Sequence, residues 1–315
     1  MKSLPGRDIA HDNDAVKGRT MDASDLRLFA AVARTGGIGK AALELNTVQS
    51  NVTARLKALE DRLGRALFER SNRGVVLTAA GQRLLPYAQS IVHLLEDAKR
   101  AVRDDGRPAG ALTIGSLETT AALRLSPVLA GFAKSFPAVD LSLKTGTSAE
   151  LVTQVLDRTL DGAFLCGPID HADLQAEAMF AEELVVLTAP GIPDLGDLLR
   201  SADLKIIVLR VGCSYRLIFE SYLARRGIVG VRVLEFGTLE TIISCVAAGL
   251  GVTLLPKSLI GAVWRGDRVA THRLPGGEGH VETVFIQHRD AYATSALRAF
   301  LDMARPAFAN LAAAE

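Results

Sequence analysis

The chain has 315 residues and a formal net charge of +1 at pH 7, because 36 Lys and Arg residues are balanced by 35 Asp and Glu residues. A chain this close to neutral has no general electrostatic attraction to nucleic acid, so any nucleic-acid contact must come from a local basic region. The length predicts two or three domains. The three cysteines, Cys166, Cys213 and Cys245, are too scattered for a disulfide framework or a zinc site and indicate a reducing compartment.

Residues 1–20 are polar and contain no apolar run, so we expect them to be disordered. Two interpretations of this segment are open: translation from an upstream start codon, or an arm that contacts DNA. The sequence contains neither a secretory apolar region nor an apolar stretch of about 18 residues. The chain is therefore expected to be cytoplasmic, without a membrane partner.

Three short helices are predicted in the next segment. The first has apolar side chains at the i, i+3, i+4, i+7 spacing of one buried stripe, namely Leu26, Phe29, Ala30 and Ala33. A Gly36-Gly37 break then precedes an alanine-rich helix around Lys40 to Leu45. A turn through Asn46 and Thr47 leads to a third helix that starts near Val48. This order is the outline of a helix-turn-helix.

The third predicted helix has one apolar and one polar face. Its inward positions, at spacings of four, three and four, are Val52, Leu56, Leu59 and Leu63. Its outward and flanking positions are Gln49, Ser50, Asn51, Thr53, Ala54 and Lys57. Polar side chains of this kind suit base edges and phosphates, and a Gln can pair with adenine through two hydrogen bonds. The alternative is an ordinary solvated face, which most surface helices have.

The order of residues in this region resembles the N-terminal domain of LysR-type transcriptional regulators. The matching positions are Leu28-Phe29, Ala41-Ala42, Leu45, Gln49-Ser50, Val52-Thr53, Leu59-Glu60, Leu63-Gly64, Leu67-Phe68, Arg70, Arg73, Leu77-Thr78 and Ala80-Gly81. The resemblance implies a winged helix-turn-helix over residues 21–80, in which Gln49, Ser50 and Thr53 approach bases. It also implies that Arg73, on the wing, reaches the minor groove or its phosphates. With Asn51 and Lys57, these residues are the candidate DNA contacts.

This sequence departs from the family pattern at three places. Gly37 to Lys40 replaces a more usual Ser-aromatic-Thr-Arg start to the second helix, Asn51 replaces a common alanine, and Ala54 replaces a common basic residue. These departures concern the choice of bases more than DNA binding itself.

Positive charge is concentrated around the third helix. Between Gln49 and Arg83 there are seven basic and three acidic side chains. If each protomer neutralises about four phosphates, log K should fall against log salt with a slope of about −3.6. Pairing of some arginines with Glu60 or Glu69 would make the slope shallower.

A long helix is predicted after the wing, within a linker at residues 81–108. Its apolar positions alternate spacings of four and three, as in a heptad: Leu84, Ala88, Ile91, Leu95, Ala98 and Val102. Pro86 is tolerable because it lies near the helix start. The family resemblance favours a dimer seam over a helix packed on its own domain. The stretch from Asp104 to Pro108 breaks the helix and indicates a hinge linker.

Residues 109–315 alternate short apolar strands with helices, which predicts an α/β fold. The strands are expected at residues 112–115, 139–143, 163–166, 184–187, 206–209, 252–255 and 283–286. The family resemblance implies an effector-binding domain of two α/β lobes, similar to a type-2 periplasmic binding protein. The first lobe would comprise about 109–167 and 270–315, and the second about 168–269.

The turns after several strands are rich in hydroxyls, at the sheet edge where helix N-termini favour a small anion. Candidate effector-binding residues in these turns are Ser116, Glu118, Thr119, Thr145, Thr147, Ser148, Cys213, Ser214, Thr238 and Glu240. The alternative for each hydroxyl is simple helix capping. Glu118 and Glu240 would repel a bare carboxylate but could meet an amine, so the ligand is expected to be a small carboxylate or an amino-acid-like metabolite. Arg216 is a candidate cation, and Cys213 is either a ligand contact or an inert buried thiol.

No enzyme or metal motif is found in the sequence. The stretch from Gly36 to Lys40 lacks the spacing of a phosphate loop, and the six histidines make no helix-spaced metal pair. We therefore predict a non-enzymatic transcriptional regulator without cofactor or metal, binding double-stranded DNA as a dimer or tetramer, and RNA polymerase if it activates. The competing prediction is an enzyme or solute-binding protein whose N-terminal helices serve assembly.

Overall fold

The structure, a computed structural model, describes residues 21–71, 74–192, 194–201, 203–262 and 268–313. The predicted disordered segment 1–20 and the wing residue Arg73 lie outside the described residues. The chain divides into two compact units, one that ends at Lys99 and one that begins at Arg100.

The N-terminal unit contains three short helices, a hairpin and one long helix. They are α1 Ala23–Thr35, α2 Ile38–Glu44, α3 Gln49–Leu63, β1 Phe68–Ser71, β2 Gly74–Leu77 and α4 Ala79–Arg103. Asp22 is the N-cap of α1, and its side chain accepts hydrogen bonds from the backbone N–H groups of Ser24 and Asp25. It ends at Gly36, which has a left-handed φ of +67°. Strands β1 and β2 pair antiparallel and form the wing.

The core of this unit confirms the inward face of α3 except at its last position. Val52, Leu56 and Leu59 are buried, but Leu63 is 39% exposed. The prediction for Leu63 was wrong because α3 ends there, and Gly64 turns the chain away with a φ of +64°. In α1, Ala30 and Ala33 are only half-buried, whereas Leu28, Ala31 and Val32 are buried. The predicted stripe was too narrow because α2, α3 and the wing cover α1 from several sides.

The junction between wing and α4 is closely packed. Thr78 Oγ1 donates a hydrogen bond to the carbonyl oxygen of Ala66 at 2.8 Å and accepts one from Gly81 N at 3.1 Å. A Cβ added at Gly81 would lie 2.2 Å from the carbonyl oxygen of Leu67. Only glycine fits at this position, because any side chain would collide with the backbone.

Helix α4 is one continuous helix of 25 residues with Pro86 in its second turn. Of the predicted heptad positions, Ala88 is buried in the core of the N-terminal unit and Leu84 is half-buried. The later positions Ile91, Leu95 and Val102 are exposed in the single chain. The first turns of α4 therefore pack on their own unit, and the later turns present an apolar stripe to solvent.

The C-terminal unit has an α/β fold, as predicted. Its strands are β3 Gly110–Ser116, β4 Val139–Thr145, β5 Gly162–Cys166, β6 Leu174–Thr188, β7 Lys205–Val208, β8 Arg232–Glu235, β9 Thr253–Pro256, β10 Ala270–Arg273 and β11 His280–His288. Its helices are α5 Glu118–Thr120, which continues through a π-helical segment Ala121–Leu125 into α6 Ser126–Ser135, then α7 Ser148–Leu156, α8 Leu195–Leu199, α9 Ser214–Arg225, α10 Leu239–Ala247, α11 Leu259–Ala262 and α12 Ser295–Ala313.

Two long strands, β6 and β11, connect two lobes of this unit. In the first lobe the sheet order is β6-β11-β5-β3-β4, with β3 parallel to both β4 and β5. In the second lobe the far end of β6 pairs with β9 and β10, and β7 pairs parallel with β8. The boundary expected near residue 270 falls inside the second lobe, because β10 lies beside β6 there. The chain returns to the first lobe with β11.

The sequence patterns missed β8, β10 and the first half of β6. These strands mix polar or charged residues with apolar ones and are half-exposed, with burial restricted to every second position or less. The predicted strands are more continuously apolar, and most are buried on both faces, as strands covered by helices should be. Over the described residues, the structure contains no helix of the length and apolarity that a membrane crossing requires.

Candidate DNA-contacting helix and effector pocket

The outer face of α3 presents most of the predicted DNA contacts to solvent. Gln49, Ser50, Asn51 and Lys57 are exposed, and Thr53 is half-buried. Thr53 Oγ1 donates a hydrogen bond to Gln49 O at 2.9 Å, and Asn51 Nδ2 donates one to Thr47 Oγ1 at 2.9 Å. Asn51 and Thr53 are thus held by local bonds, whereas Gln49 and Ser50 in the first turn and Lys57 in the third turn are exposed to solvent. This arrangement suits entry of the N-terminal part of α3 into a groove.

Two arginines of α3 serve the fold of the unit. Asp25, buried on α1, accepts hydrogen bonds through Oδ1 from Arg55 Nε at 3.2 Å and Nη2 at 2.7 Å, and through Oδ2 from Arg62 Nη2 at 2.5 Å. From the sequence, Glu60 or Glu69 was expected to pair with these arginines. Glu60 instead accepts hydrogen bonds from the backbone N–H groups of Leu67 and Phe68.

This pairing reduces the basic surface that faces DNA. The charge count around α3 treated Arg55 and Arg62 as available for phosphates, but both are bound to one buried carboxylate from outside the counted range. Lys57 and Arg65 remain exposed on the unit. The salt slope should therefore be shallower than −3.6 per protomer. The predicted role of Arg73 stays a prediction, since that residue lies outside the described part of the chain.

The C-terminal unit contains a pocket of about 280 Å³ between its two lobes. At about 30 Å³ for each water molecule in the liquid, this volume corresponds to roughly nine waters, which suits a small metabolite. The pocket lies where β3, β4 and β7 end, the edge at which open α/β sheets bind ligands. Its described lining residues are Leu117, Glu118, Thr119, Thr145, Gly146, Thr147, Leu209, Arg210, Cys213, Tyr215 and Gly237.

Half of the predicted effector residues line this pocket: Glu118, Thr119, Thr145, Thr147 and Cys213. Ser116 is fully buried, and its Oγ donates to the carbonyl of Leu117 at 2.9 Å. Ser148 and Ser214 share a hydrogen bond of 2.7 Å between their hydroxyls. Since Ser148 begins α7 in the first lobe and Ser214 begins α9 in the second, this bond joins the two lobes beside the pocket.

Thr238 and Glu240 do not belong to the described pocket wall. Thr238 caps α10 by accepting a hydrogen bond from Thr241 N at 3.3 Å, and Glu240 pairs with Arg268 at 3.3 Å. Gly237, just before α10, does line the pocket, so an effector contact by Thr238 or Glu240 stays a prediction. For Thr238, the capping alternative is the one that the structure supports.

The cation of the pocket is Arg210 rather than Arg216. Arg216 donates hydrogen bonds to Glu220 at 2.9 Å and to Glu235 at 2.8 Å, and it is not among the lining residues. These pairs raise its pKa despite some desolvation. Arg210 lies two residues after the end of β7 and lines the pocket. The position of Arg210 just after a buried strand was a usable signal in the sequence, whereas Arg216 was predicted because it follows the loop from Gly212 to Tyr215.

A buried polar network lies beneath the pocket. Tyr215 OH donates to Glu182 Oε2 at 3.2 Å and lies 3.2 Å from Thr119 Oγ1, while Thr283 Oγ1 also donates to Glu182 Oε2 at 3.2 Å. Burial raises the pKa of Tyr215 well above its ordinary value. The network links both lobes with the connecting strands β6 and β11. Sequence patterns could not reveal it, because its members are far apart along the chain.

The two cysteines nearest the pocket are buried. Burial raises the pKa of Cys166 to about 12 and also raises the pKa of Cys213. A thiol in this state is a poor nucleophile at neutral pH. This favours the inert-thiol interpretation of Cys213, although it also lines the pocket. In the part of the chain that the structure describes, no group of three or more His, Cys, Asp or Glu side chains is placed to hold a metal ion.

Comparison with known proteins relates each unit to a family model. Residues 23–82 match the bacterial regulatory helix-turn-helix model of the lysR family, and residues 105–309 match the LysR substrate binding domain. The HTH-type transcriptional regulator GltR of Bacillus subtilis (strain 168) is 41% identical over 283 residues, which cover 90% of this chain and 96% of that protein. The competing interpretation as an enzyme or solute-binding protein finds no support among these relatives.

Solved structures show the same fold. A full-length OxyR variant from Pseudomonas aeruginosa has a TM-score of 0.66 at 21% identity and covers 92% of this chain and 95% of its own. Full-length CbnR in complex with its target DNA has a TM-score of 0.51 at 25% identity and covers 91% of this chain and 100% of its own. The family models, the GltR similarity and the arrangement of α3 with its wing agree: the chain belongs to the LysR family of DNA-binding transcriptional regulators.

Proposed function

We propose that this regulator responds to a small carboxylate, or an amino-acid-like molecule, bound in the pocket between its lobes. The observation that carries the proposal is the position of Arg210 at the mouth of a pocket formed by strand ends and helix starts. The N-termini of α7 and α9 meet there, and the positive ends of their helix dipoles favour an anion. Glu118, the acidic residue among the described lining residues, suits an amine. A ligand with both groups would satisfy both side chains.

Control of DNA binding would follow from the angle between the lobes. Ligand contacts on Thr119 and Thr147 in the first lobe and on Arg210 in the second would stabilise one relative orientation. In this proposal, that orientation sets the spacing of paired DNA-binding units. A ligand can shift such an equilibrium only by its difference in affinity for the two states.

We further propose a dimer formed through the exposed stripe of α4, with two dimers combining into a tetramer on DNA. Ile91, Leu95 and Val102 supply the apolar seam. Half-sites one helical turn, about 34–36 Å, or a multiple apart would match the two α3 helices of a dimer. If the protein activates transcription, RNA polymerase is the expected additional partner. A regulator of this kind works where the chromosome is, so we assign it to the cytoplasm.

The proposal of sequence-specific control is tested by fluorescence anisotropy of the full-length protein on its own upstream intergenic DNA and on a scrambled duplex, over a salt series. We expect at least roughly thousandfold tighter binding to the native duplex. Gln49→Ala should relax preference at one base position, whereas Arg73→Ala should weaken binding to every sequence. Lys134→Ala, an exposed position on α6, is the matched control and should change neither. Equal, weak binding to both duplexes would refute recognition of that operator.

A further inference from the structure

Glu150 is the side chain that holds Arg210 at the pocket mouth. Its Oε2 accepts a hydrogen bond from Arg210 Nη2 at 3.0 Å and another from Thr147 N at 2.8 Å. The same oxygen lies close to the backbone of Gly146, since a Cβ added there would be 3.2 Å from it. Thr147, Gly146 and Arg210 all line the pocket, so the Glu150 carboxylate lies directly behind its wall.

Capping explains only part of this arrangement. Thr147 and Glu150 form a capping box at the start of α7, in which Thr147 Oγ1 also accepts from Glu150 N at 3.3 Å. The capping box needs only a hydrogen-bond acceptor at position 150, and Gln would serve as well. The second partner, Arg210, comes from the other lobe. The charge on Glu150 thus acts across the cleft rather than within the helix.

The donors that Glu150 uses are those that a bound carboxylate would need. Among the described lining residues, Arg210 is the basic one, and the only other charged one is Glu118. The pKa of Glu150 is lowered, first by the hydrogen bond from the Thr147 backbone and further by Arg210. The side chain is therefore an anion at neutral pH and occupies the anion-binding donors of the cleft.

We propose that Glu150 is a built-in competitor for the effector: its carboxylate occupies Arg210 and the Thr147 N–H, and a carboxylate ligand must displace it to bind. The inference rests on the proposed effector function of this pocket. It assigns to Arg210 the recognition of the ligand's carboxylate, and to Glu150 the setting of the affinity. The ion pair also bridges α7 and the β7–α9 loop, so its displacement changes a contact between the lobes.

The size of the effect follows from exposure. The side chains of Arg210 and Glu150 are 56% and 46% exposed, so their pair is only moderately strong. Exposed pairs of this kind are worth about 0.2–1 kcal/mol, which corresponds to a change in affinity of about 1.5- to fivefold. Weak competition of this size tunes the response without preventing binding.

The test is calorimetric titration of the full-length protein with acetate, succinate, L-glutamate and benzoate. Acetate, succinate and benzoate are each compared with their neutral amides, which carry no carboxylate. Glu150→Gln keeps the capping box and removes the charge, so any carboxylate that binds the wild type should bind this variant about 1.5- to fivefold more tightly. Arg210→Gln should weaken the same carboxylate at least about tenfold. The neutral counterparts should show neither change.

Glu220→Gln is the matched control, because Glu220 also pairs with an arginine, but that arginine, Arg216, does not line the pocket. It should leave every affinity unchanged. The inference is overturned if Glu150→Gln gains nothing, if the gain is equal for the amides, or if Arg210→Gln binds carboxylates normally. It is also overturned if no carboxylate of the panel binds either the wild type or Glu150→Gln. Specific binding to the native duplex in the anisotropy assay would show that the regulatory function stands even then.

Discussion

Removal of the Asp25 carboxylate should loosen α3 and yet increase its attraction to DNA. Asp25 on α1 is 4% exposed and binds both Arg55 and Arg62 of α3. Asp25→Ala would leave two guanidinium groups without their shared counter-charge on the inner side of α3. Because they sit between the two helices, their repulsion acts on the packing that positions the DNA-contacting face.

The magnitude follows from burial. Removing one partner of a fully buried ion pair costs about 3–5 kcal/mol. Here the side chains of Arg55 and Arg62 are 35% and 26% exposed, so water can replace part of the lost interaction. We therefore expect a loss of about 2–3 kcal/mol in the stability of the N-terminal unit. If either arginine then reaches a phosphate, the salt slope should steepen by about 0.9.

Hydrogen exchange of the full-length protein measures the first effect, since the amides of α1 and α3 report local opening. Glu44→Ala is the control: Glu44 pairs with Arg34 on the surface of the same unit, so its loss should cost no more than about 1 kcal/mol. Anisotropy on the scrambled duplex measures the second effect. If the amides of α1 and α3 are equally protected from exchange in Asp25→Ala and Glu44→Ala, the inferred role of Asp25 in holding α3 is refuted.

Three further predictions concern packing, the pocket floor and thiol reactivity. Gly81→Ala should destabilise the junction of wing and α4 by several kcal/mol, because its Cβ would overlap a backbone carbonyl; intact thermal stability would contradict this. Tyr215→Phe should cost about 1–3 kcal/mol in unfolding experiments, because buried Glu182 loses a donor, and a neutral result would show that the network carries no energy. Iodoacetamide at pH 8 should modify half-buried Cys245 well before Cys166, as mass spectrometry of timed samples would reveal; faster labelling of Cys166 would contradict its raised pKa.

The helix-turn-helix was predictable because its information is local. Apolar spacing in α1 and α3, the glycines at their ends and the order of residues through the wing all lie within about 60 consecutive positions. The apolar runs of β3, β5 and β7 were equally clear, since strands buried on both faces need little context. Half-exposed strands such as β8 were missed because their short mixture of charged and apolar residues resembles an ordinary surface segment.

The effector pocket was predictable only in part. Hydroxyls after strands marked the sheet edge at which the pocket lies, and Thr119 and Thr147 do line it, but the same signal also marked Thr238, a helix cap outside the described pocket wall. The sequence could not separate capping from binding, because both need a hydroxyl before a helix. The distinction depends on where each helix start lies relative to the cleft.

The sequence by itself determined the family, the order of the units and the apolar faces, because these depend on residues that are near one another along the chain. Only the tertiary structure decided which polar and charged side chains pair with one another. Arg55 and Arg62 meet Asp25 from 30 and 37 positions away, Arg210 meets Glu150 from 60, and Glu182 meets Thr283 from 101. A charge pairs with whatever folding brings within a few ångströms, and separation along the chain does not encode that distance.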